Sequence, residues 1–136
     1  MRVFVLCAWL LTAGLGGYLA SVWIRHGGLR QRASGVTRLP LWLVVGHVLL
    51  AVGGLASWTA YLAGGVRGTA WAACAVVLIV AAFGFMMLLR WLPSSGRHSH
   101  GRRTAERHFP LTAVVAHGMC AGATVLLVVL VVLRQA

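Results

Sequence analysis

Four long apolar segments constrain the fold of this chain more than any other feature of its sequence. They cover about residues 3–24, 39–64, 69–92 and 109–133. Each exceeds the roughly 20 mostly apolar residues that a helix needs to cross a bilayer. Because lipid offers no hydrogen-bond partners to the backbone, such segments must be helical. The sequence therefore predicts an all-α fold, an integral membrane four-helix bundle in which residues 1–136 form a single transmembrane domain.

The composition excludes most soluble enzyme classes. Hydrophobic residues make up 60% of the chain and charged residues only 10%, whereas about a quarter of the residues in a soluble domain are charged. Glu106 is the single acidic residue, so paired catalytic carboxylates cannot be built. No P-loop motif or Ser-His-Asp set occurs, and the three cysteines have no metal-ligand spacing. We therefore expect a binding or accessory protein rather than an enzyme with its own active site.

The arginines predict the orientation of the chain. A net charge of +11 is common in proteins that bind nucleic acid. Here, however, the arginines lie in short connections between apolar segments, where the positive-inside rule explains them. We therefore predict no nucleic-acid partner. Loops 25–38 and 93–108 are expected in the cytoplasm and both termini outside, in a cytoplasmic (inner) membrane. The arginines expected to face anionic lipid headgroups are Arg25, Arg30, Arg32, Arg38, Arg97, Arg102, Arg103 and Arg107.

The connection on the opposite side is short and flanked by aromatic residues. Gly64-Gly65-Val66-Arg67-Gly68 has the composition of a tight turn. Trp58 and Tyr61 come shortly before it, at the outer end of the second segment. Aromatic residues at this depth often form a belt at the membrane–water interface. We therefore expect these two side chains to lie at that interface.

Two of the apolar segments share an internal repeat. Residues 39–54 read "LPLWLVVGHVLLAVGG" and residues 109–124 read "FPLTAVVAHGMCAGAT", with a proline, a leucine, a Val-Val pair, a histidine and an alanine in register. The other two segments match more weakly, at Gly17 and Gly84. We predict two copies of a transmembrane hairpin in parallel orientation, related by a pseudo-twofold axis along the membrane normal.

The repeated histidines are predicted to lie at one depth. His47 and His117 each follow, by seven residues, the proline that opens their segment. A rise of 1.5 Å per residue places both about 10 Å into their helices. Gly17 and Gly84 come to about the same level on the other two helices. An ionisable residue inside a membrane span is a candidate functional residue, so this pair is the strongest site hypothesis in the chain.

A b-type haem is the cofactor that two such histidines would suit. In this respect the chain resembles small membrane-anchored b-type cytochromes, in which helical histidines hold a haem inside a four-helix bundle. The resemblance covers only the helix cores. It implies haem-iron ligation by His47 and His117, with Gly17 and Gly84 beside the macrocycle. It further implies an electron relay or the membrane anchor of a redox complex. Family members that pass electrons across the whole membrane generally hold two haems, whereas this chain has one histidine pair.

Other interpretations stay open at this point. The chain is also similar to small four-span bacterial membrane proteins of undefined function, a likeness that implies no activity. In a second interpretation, the chain binds no cofactor and serves as a non-redox accessory or scaffold subunit. The histidines then only pack helices together, and each such contact contributes about 1 kcal/mol or less to stability. A metal or proton transporter is a third interpretation, although the spans contain no carboxylate. A membrane protein partner or a homo-oligomer fits each case. The loop histidines His98, His100 and His108 could bind a transition metal or belong to a basic loop.

Overall fold

The computed structural model describes residues 1–33, 37–92 and 104–134. Within these ranges every regular element is helical. The elements are α1 (Arg2–Arg25), α2 (Gly28–Ala33), α3 (Leu41–Gly64), α4 (Arg67–Trp91), a 3₁₀ turn (Ala105–His108) and α5 (Leu111–Leu133). The four long helices pack against one another, which confirms the predicted all-α four-helix bundle.

The bounds of α3 and α5 follow from their local sequence. Both helices begin directly after a proline in extended conformation, Pro40 and Pro110. A proline costs nothing there, because its missing N–H would have had no partner at a helix start. α3 ends at Gly64 and is capped by Gly65, whose φ of +66° lies in the left-handed region that glycine adopts freely. The Gly65 N–H donates to the Tyr61 carbonyl at 2.9 Å, and Val66 leads directly into α4.

Apolar side chains cover the outside of the bundle. In the apolar stretch of 18 residues that qualifies each long helix as a membrane span, only 11–17% is buried inside the protein. Phe4 is 71% exposed, Leu49 65% and Met119 72%. Burying this surface in lipid is favourable, whereas leaving it in water is not. All four long helices have the length and composition to cross a membrane, as expected of a multi-pass membrane protein.

The order of the helices around the bundle places α3 and α5 on a diagonal. The closest pairs are α3 with α4 and α1 with α5. α4 with α5 and α1 with α3 contact each other less extensively and close the ring. The order is therefore α1, α3, α4, α5. The two helices that carry the repeated histidines face each other across the bundle.

The core contains the two aromatic residues that we predicted at the membrane interface. Trp58 is fully buried and Tyr61 is 1% exposed, packed among Val5, Trp9 and Val128. The Trp58 Nε1–H donates to the backbone carbonyl of Arg2 at 3.3 Å. An indole can be buried when its N–H finds an acceptor, and here the first turn of α1 supplies one. Both side chains therefore face the core of the bundle and not the lipid, while their depth in the membrane stays a prediction.

At the other end of the bundle, the single acidic residue connects described parts of the two predicted loops. α2 lies within the first loop, and Glu106 in the 3₁₀ turn of the second is only 2% exposed. Its carboxylate accepts from the Arg38 backbone N–H at 2.7 Å and from the Thr37 hydroxyl at 3.2 Å. The carboxylate therefore joins two segments that are 68 residues apart in sequence.

Replacing Glu106 is expected to destabilise the fold. In Glu106→Ala, the Arg38 N–H and the Thr37 hydroxyl lose their buried acceptor, which costs about 1–3 kcal/mol. Thermal unfolding in detergent, followed by circular dichroism, should show a lower Tm. Glu106→Gln keeps one side-chain oxygen and should lose less. An unchanged Tm in the alanine variant would show that this carboxylate does not hold the loops.

Candidate functional site

The structure brings His47 and His117 together across the bundle diagonal. His47 lies on α3 and His117 on α5. Their ring centroids are 6.3 Å apart, with an angle of 63° between the ring planes. Both side chains are half-buried. In the described structure, the two histidines therefore face each other, as the sequence predicts.

Each imidazole is held by a backbone carbonyl of a neighbouring helix. His47 Nδ1 lies 3.1 Å from the Val80 oxygen of α4, and His117 Nδ1 lies 3.0 Å from the Thr12 oxygen of α1. A carbonyl oxygen only accepts hydrogen bonds, so Nδ1 is the donor in both rings. In the neutral imidazole the lone pair is then on Nε2. Within the described ranges, neither Nε2 has a hydrogen-bond partner.

Two glycines let the rings reach these carbonyls. In a helix, each backbone carbonyl accepts a hydrogen bond from the N–H four residues later. The Val80 carbonyl is therefore paired with the N–H of Gly84, and the Thr12 carbonyl with the N–H of Gly16. A Cβ at Gly16 would lie 3.0 Å from His117 Cε1, and one at Gly84 would lie 3.2 Å from His47 Cε1. Both distances are shorter than ordinary van der Waals contact. The absence of a side chain four residues after the carbonyl therefore makes room for the ring.

Gly17, the glycine chosen from the sequence, occupies a different position. It is exposed, and a Cβ built on it would meet nothing within 4 Å. Gly16 is the residue that contacts His117, whereas Gly84 contacts His47 as the sequence suggested. Consecutive helical residues point about 100° apart, so a one-residue difference in register moves Gly17 away from the ring. The four-residue spacing in Thr12–Gly16 and Val80–Gly84 is the sequence feature that could have distinguished the two glycines.

The surroundings of the two histidines correspond. Every position from 44 to 58 on α3 has the same degree of burial as the position 70 residues later on α5. The side chains and their contacts differ, however, at the corresponding positions Gly54 and Thr124. Gly54 makes room for the Trp9 ring, which lies 2.8 Å from where a Cβ would be. Thr124 instead lies 3.1 Å, oxygen to oxygen, from the Thr12 hydroxyl of α1.

The ligand set narrows the chemistry of the site. The part of the chain that the structure describes contains no group of three or more His, Cys, Asp or Glu able to hold a metal ion. A structural zinc site needs four such ligands. Two imidazole nitrogens alone therefore do not meet the requirement of such a zinc site.

The loop histidines do not converge on a metal-binding point where the structure describes them. His98 and His100 lie outside the described residues. His108 stacks on His26, with ring centroids 3.9 Å apart and an angle of 13° between the planes. His26 Nδ1 also contacts the Val22 carbonyl at 2.8 Å. Nearly parallel rings do not direct their nitrogen lone pairs toward one point.

The predicted membrane-surface arginines are described in part. Arg25, Arg30 and Arg107 are exposed and Arg38 is half-buried, all at the end that carries α2 and the 3₁₀ turn. The side chain of Arg32 and the residues Arg97, Arg102 and Arg103 lie outside what the structure describes.

Comparisons with protein-family models, with curated proteins and with solved structures give no significant match. The resemblance to membrane b-type cytochromes therefore rests on the residues of this chain alone.

Proposed function

We propose that this membrane protein binds one b-type haem between α3 and α5, which Nε2 of His47 and Nε2 of His117 would hold. One observation carries the proposal. Two imidazoles face each other across the bundle, each fixed through Nδ1 by a backbone carbonyl and each with Nε2 unpartnered among the described residues. Metal-binding histidines commonly donate their other ring N–H in this way, which fixes the tautomer and the ring orientation.

The separation of the rings supports the same assignment. Two imidazoles that share one metal ion, at metal–nitrogen distances of about 2 Å, would have ring centroids about 6 Å apart. The observed separation of the centroids is 6.3 Å. A haem would also need only two protein ligands, because its macrocycle brings the remaining ones. The donor set and its spacing therefore fit this cofactor better than a bare metal ion.

The chain's own residues would hold and shield the group. His47 and His117 would ligate the iron, and the carbonyls of Val80 and Thr12 would keep both rings in place. The apolar exterior would exclude water. When bound, a haem supplies one-electron redox chemistry. The function we propose is an electron relay or the membrane anchor of a redox complex, in a cytoplasmic membrane with the basic loops inside.

The absorption spectrum of the purified chain tests the proposal. Protein from haem-replete cells should show a Soret band and one haem per chain by the pyridine haemochrome assay. The bands should shift on reduction with dithionite, because the iron changes oxidation state. Folded protein that stays colourless, both as isolated and after incubation with haemin, would contradict the proposal.

A second candidate function uses the same contacts. The two Nδ1 hydrogen bonds connect α3 to α4 and α5 to α1, so the histidines also act as links between helices. A scaffold or accessory subunit without a cofactor needs no more than this, since such bonds contribute about 1 kcal/mol or less in a membrane. In that case the alanine variants of the two histidines would lose some stability, and wild-type protein would bind no haem.

A further inference from the structure

A groove lies at the end of the bundle opposite Glu106, between the start of α1 and the end of α5. It has a volume of about 500 Å³ and is lined by Met1, Arg2, Val3, Val131 and Arg134. Arg2 is the first residue of α1, and Arg134 directly follows the last residue of α5. Two guanidinium groups on neighbouring helices therefore border one groove that also has apolar walls.

Among the described residues, neither guanidinium group has an anionic partner. Glu106 is the single acidic residue of the chain, and its carboxylate is bound by Arg38 and Thr37 at the other end of the bundle. A helix the length of α1 separates the two ends by about 36 Å, several times the screening length of about 8 Å at physiological salt. Within the described ranges, no carboxylate therefore offsets the positive charge of this groove.

Within the described residues, the guanidinium N–H groups of these two arginines also contact a ring and a sulfur atom rather than oxygen acceptors. The Arg2 guanidinium lies 5.0 Å from the centre of the Tyr61 ring, a cation–π geometry. Arg134 Nη1 contacts the Met1 sulfur at 2.7 Å, and a thioether is a weak acceptor. Among the described residues, no oxygen accepts a hydrogen bond from either group. The fork-shaped donors of both arginines therefore remain available to an anion.

We propose that this groove binds the phosphate group of an anionic phospholipid between Arg2 and Arg134. Guanidinium groups bind phosphate oxygens through paired, charge-assisted hydrogen bonds. The ends of membrane-spanning helices lie at the depth of lipid headgroups. The apolar surface beside the groove, where Val3 is 63% and Phe4 71% exposed, suits an acyl chain rather than a soluble anion. This inference is independent of the haem proposal.

Native mass spectrometry of the full chain in detergent, titrated with phosphatidylglycerol or phosphatidylcholine, tests this lipid site. We expect a preference for phosphatidylglycerol that falls about tenfold or more in the double variant Arg2→Gln/Arg134→Gln, since both guanidinium groups that would hydrogen-bond the phosphate are lost. Arg67→Gln is the matched control. Arg67 starts α4 at the same end of the bundle, is exposed and does not line the groove. Because Arg67 does not border the groove and its charge is screened by salt, the affinity of this variant for phosphatidylglycerol should stay within about twofold of wild type. Circular dichroism should confirm that all variants are folded.

Three results would overturn the lipid site. An equal loss of affinity in Arg67→Gln would show that diffuse charge, not the groove, attracts the lipid. Equal affinity for phosphatidylcholine would show that the site does not select an anionic headgroup. Displacement of phosphatidylglycerol by millimolar inorganic phosphate, with phosphate retained in the spectrum, would show that the groove takes the free anion instead.

Discussion

The Soret band of the purified protein is expected to disappear in His47→Ala and, independently, in His117→Ala. Each substitution removes one of the two nitrogens that we assign to the iron, and a single remaining imidazole should hold haem at least about tenfold more weakly. The carbonyls that held the rings, Val80 and Thr12, still accept from their own helices. The helices should therefore persist, and haem per folded chain is the quantity to measure.

Histidines outside the bundle core provide the control for this experiment. His26 and His108 stack on each other at the loop end and are exposed. His26→Ala and His108→Ala should keep the haem content of the wild type. If either core variant retained full haem, or if the loop-end variants lost it equally, the assignment of His47 and His117 as ligands would be wrong.

The second large effect on haem binding is expected at Gly16, and the adjacent Gly17 provides its control. Gly16→Leu is expected to lower haem occupancy about tenfold, because its Cβ alone would lie 3.0 Å from His117 Cε1 and the rest of the side chain must displace the ring. Gly17→Leu makes the same chemical change one residue further along the same helix. Nothing lies within 4 Å of its Cβ, so haem occupancy should stay at the wild-type level.

This comparison separates haem binding from helix stability. Leucine has a higher helix propensity than glycine, by somewhat less than 1 kcal/mol, and the gain is the same at both positions. A difference in haem occupancy must therefore come from the contact with the ring. Gly84→Leu should behave like Gly16→Leu, because its Cβ would lie 3.2 Å from His47 Cε1. Loss of haem in Gly17→Leu but not in Gly16→Leu would contradict the register of α1.

Much of the fold follows from simple physical requirements on the sequence. Four apolar segments of membrane-spanning length admit few structures other than a helical bundle. The depth of the two histidines follows from counting residues after Pro40 and Pro110, because a helix advances by a constant rise. These features depend on length and spacing, which a sequence records directly.

Features that depend on the rotation of one helix against another were harder to predict. Gly16 and Gly17 differ by one residue, and only the packing of α1 against α5 shows which of them contacts His117. Trp58 and Tyr61 suggested an interfacial belt, yet the Arg2 carbonyl and the Tyr61–Arg2 contact hold them in the core. The position of Glu106 depended on two loop segments meeting, which no local pattern records.

Low-temperature electron paramagnetic resonance of the oxidised wild-type protein tests the central claim most directly, because it reports on both axial ligands of one iron. If His47 and His117 both ligate the haem through Nε2, the spectrum should consist of a low-spin ferric signal typical of two imidazole ligands. Signals from high-spin ferric iron alone would mean that one histidine does not ligate. Folded protein that binds no haem at all would contradict the claim entirely.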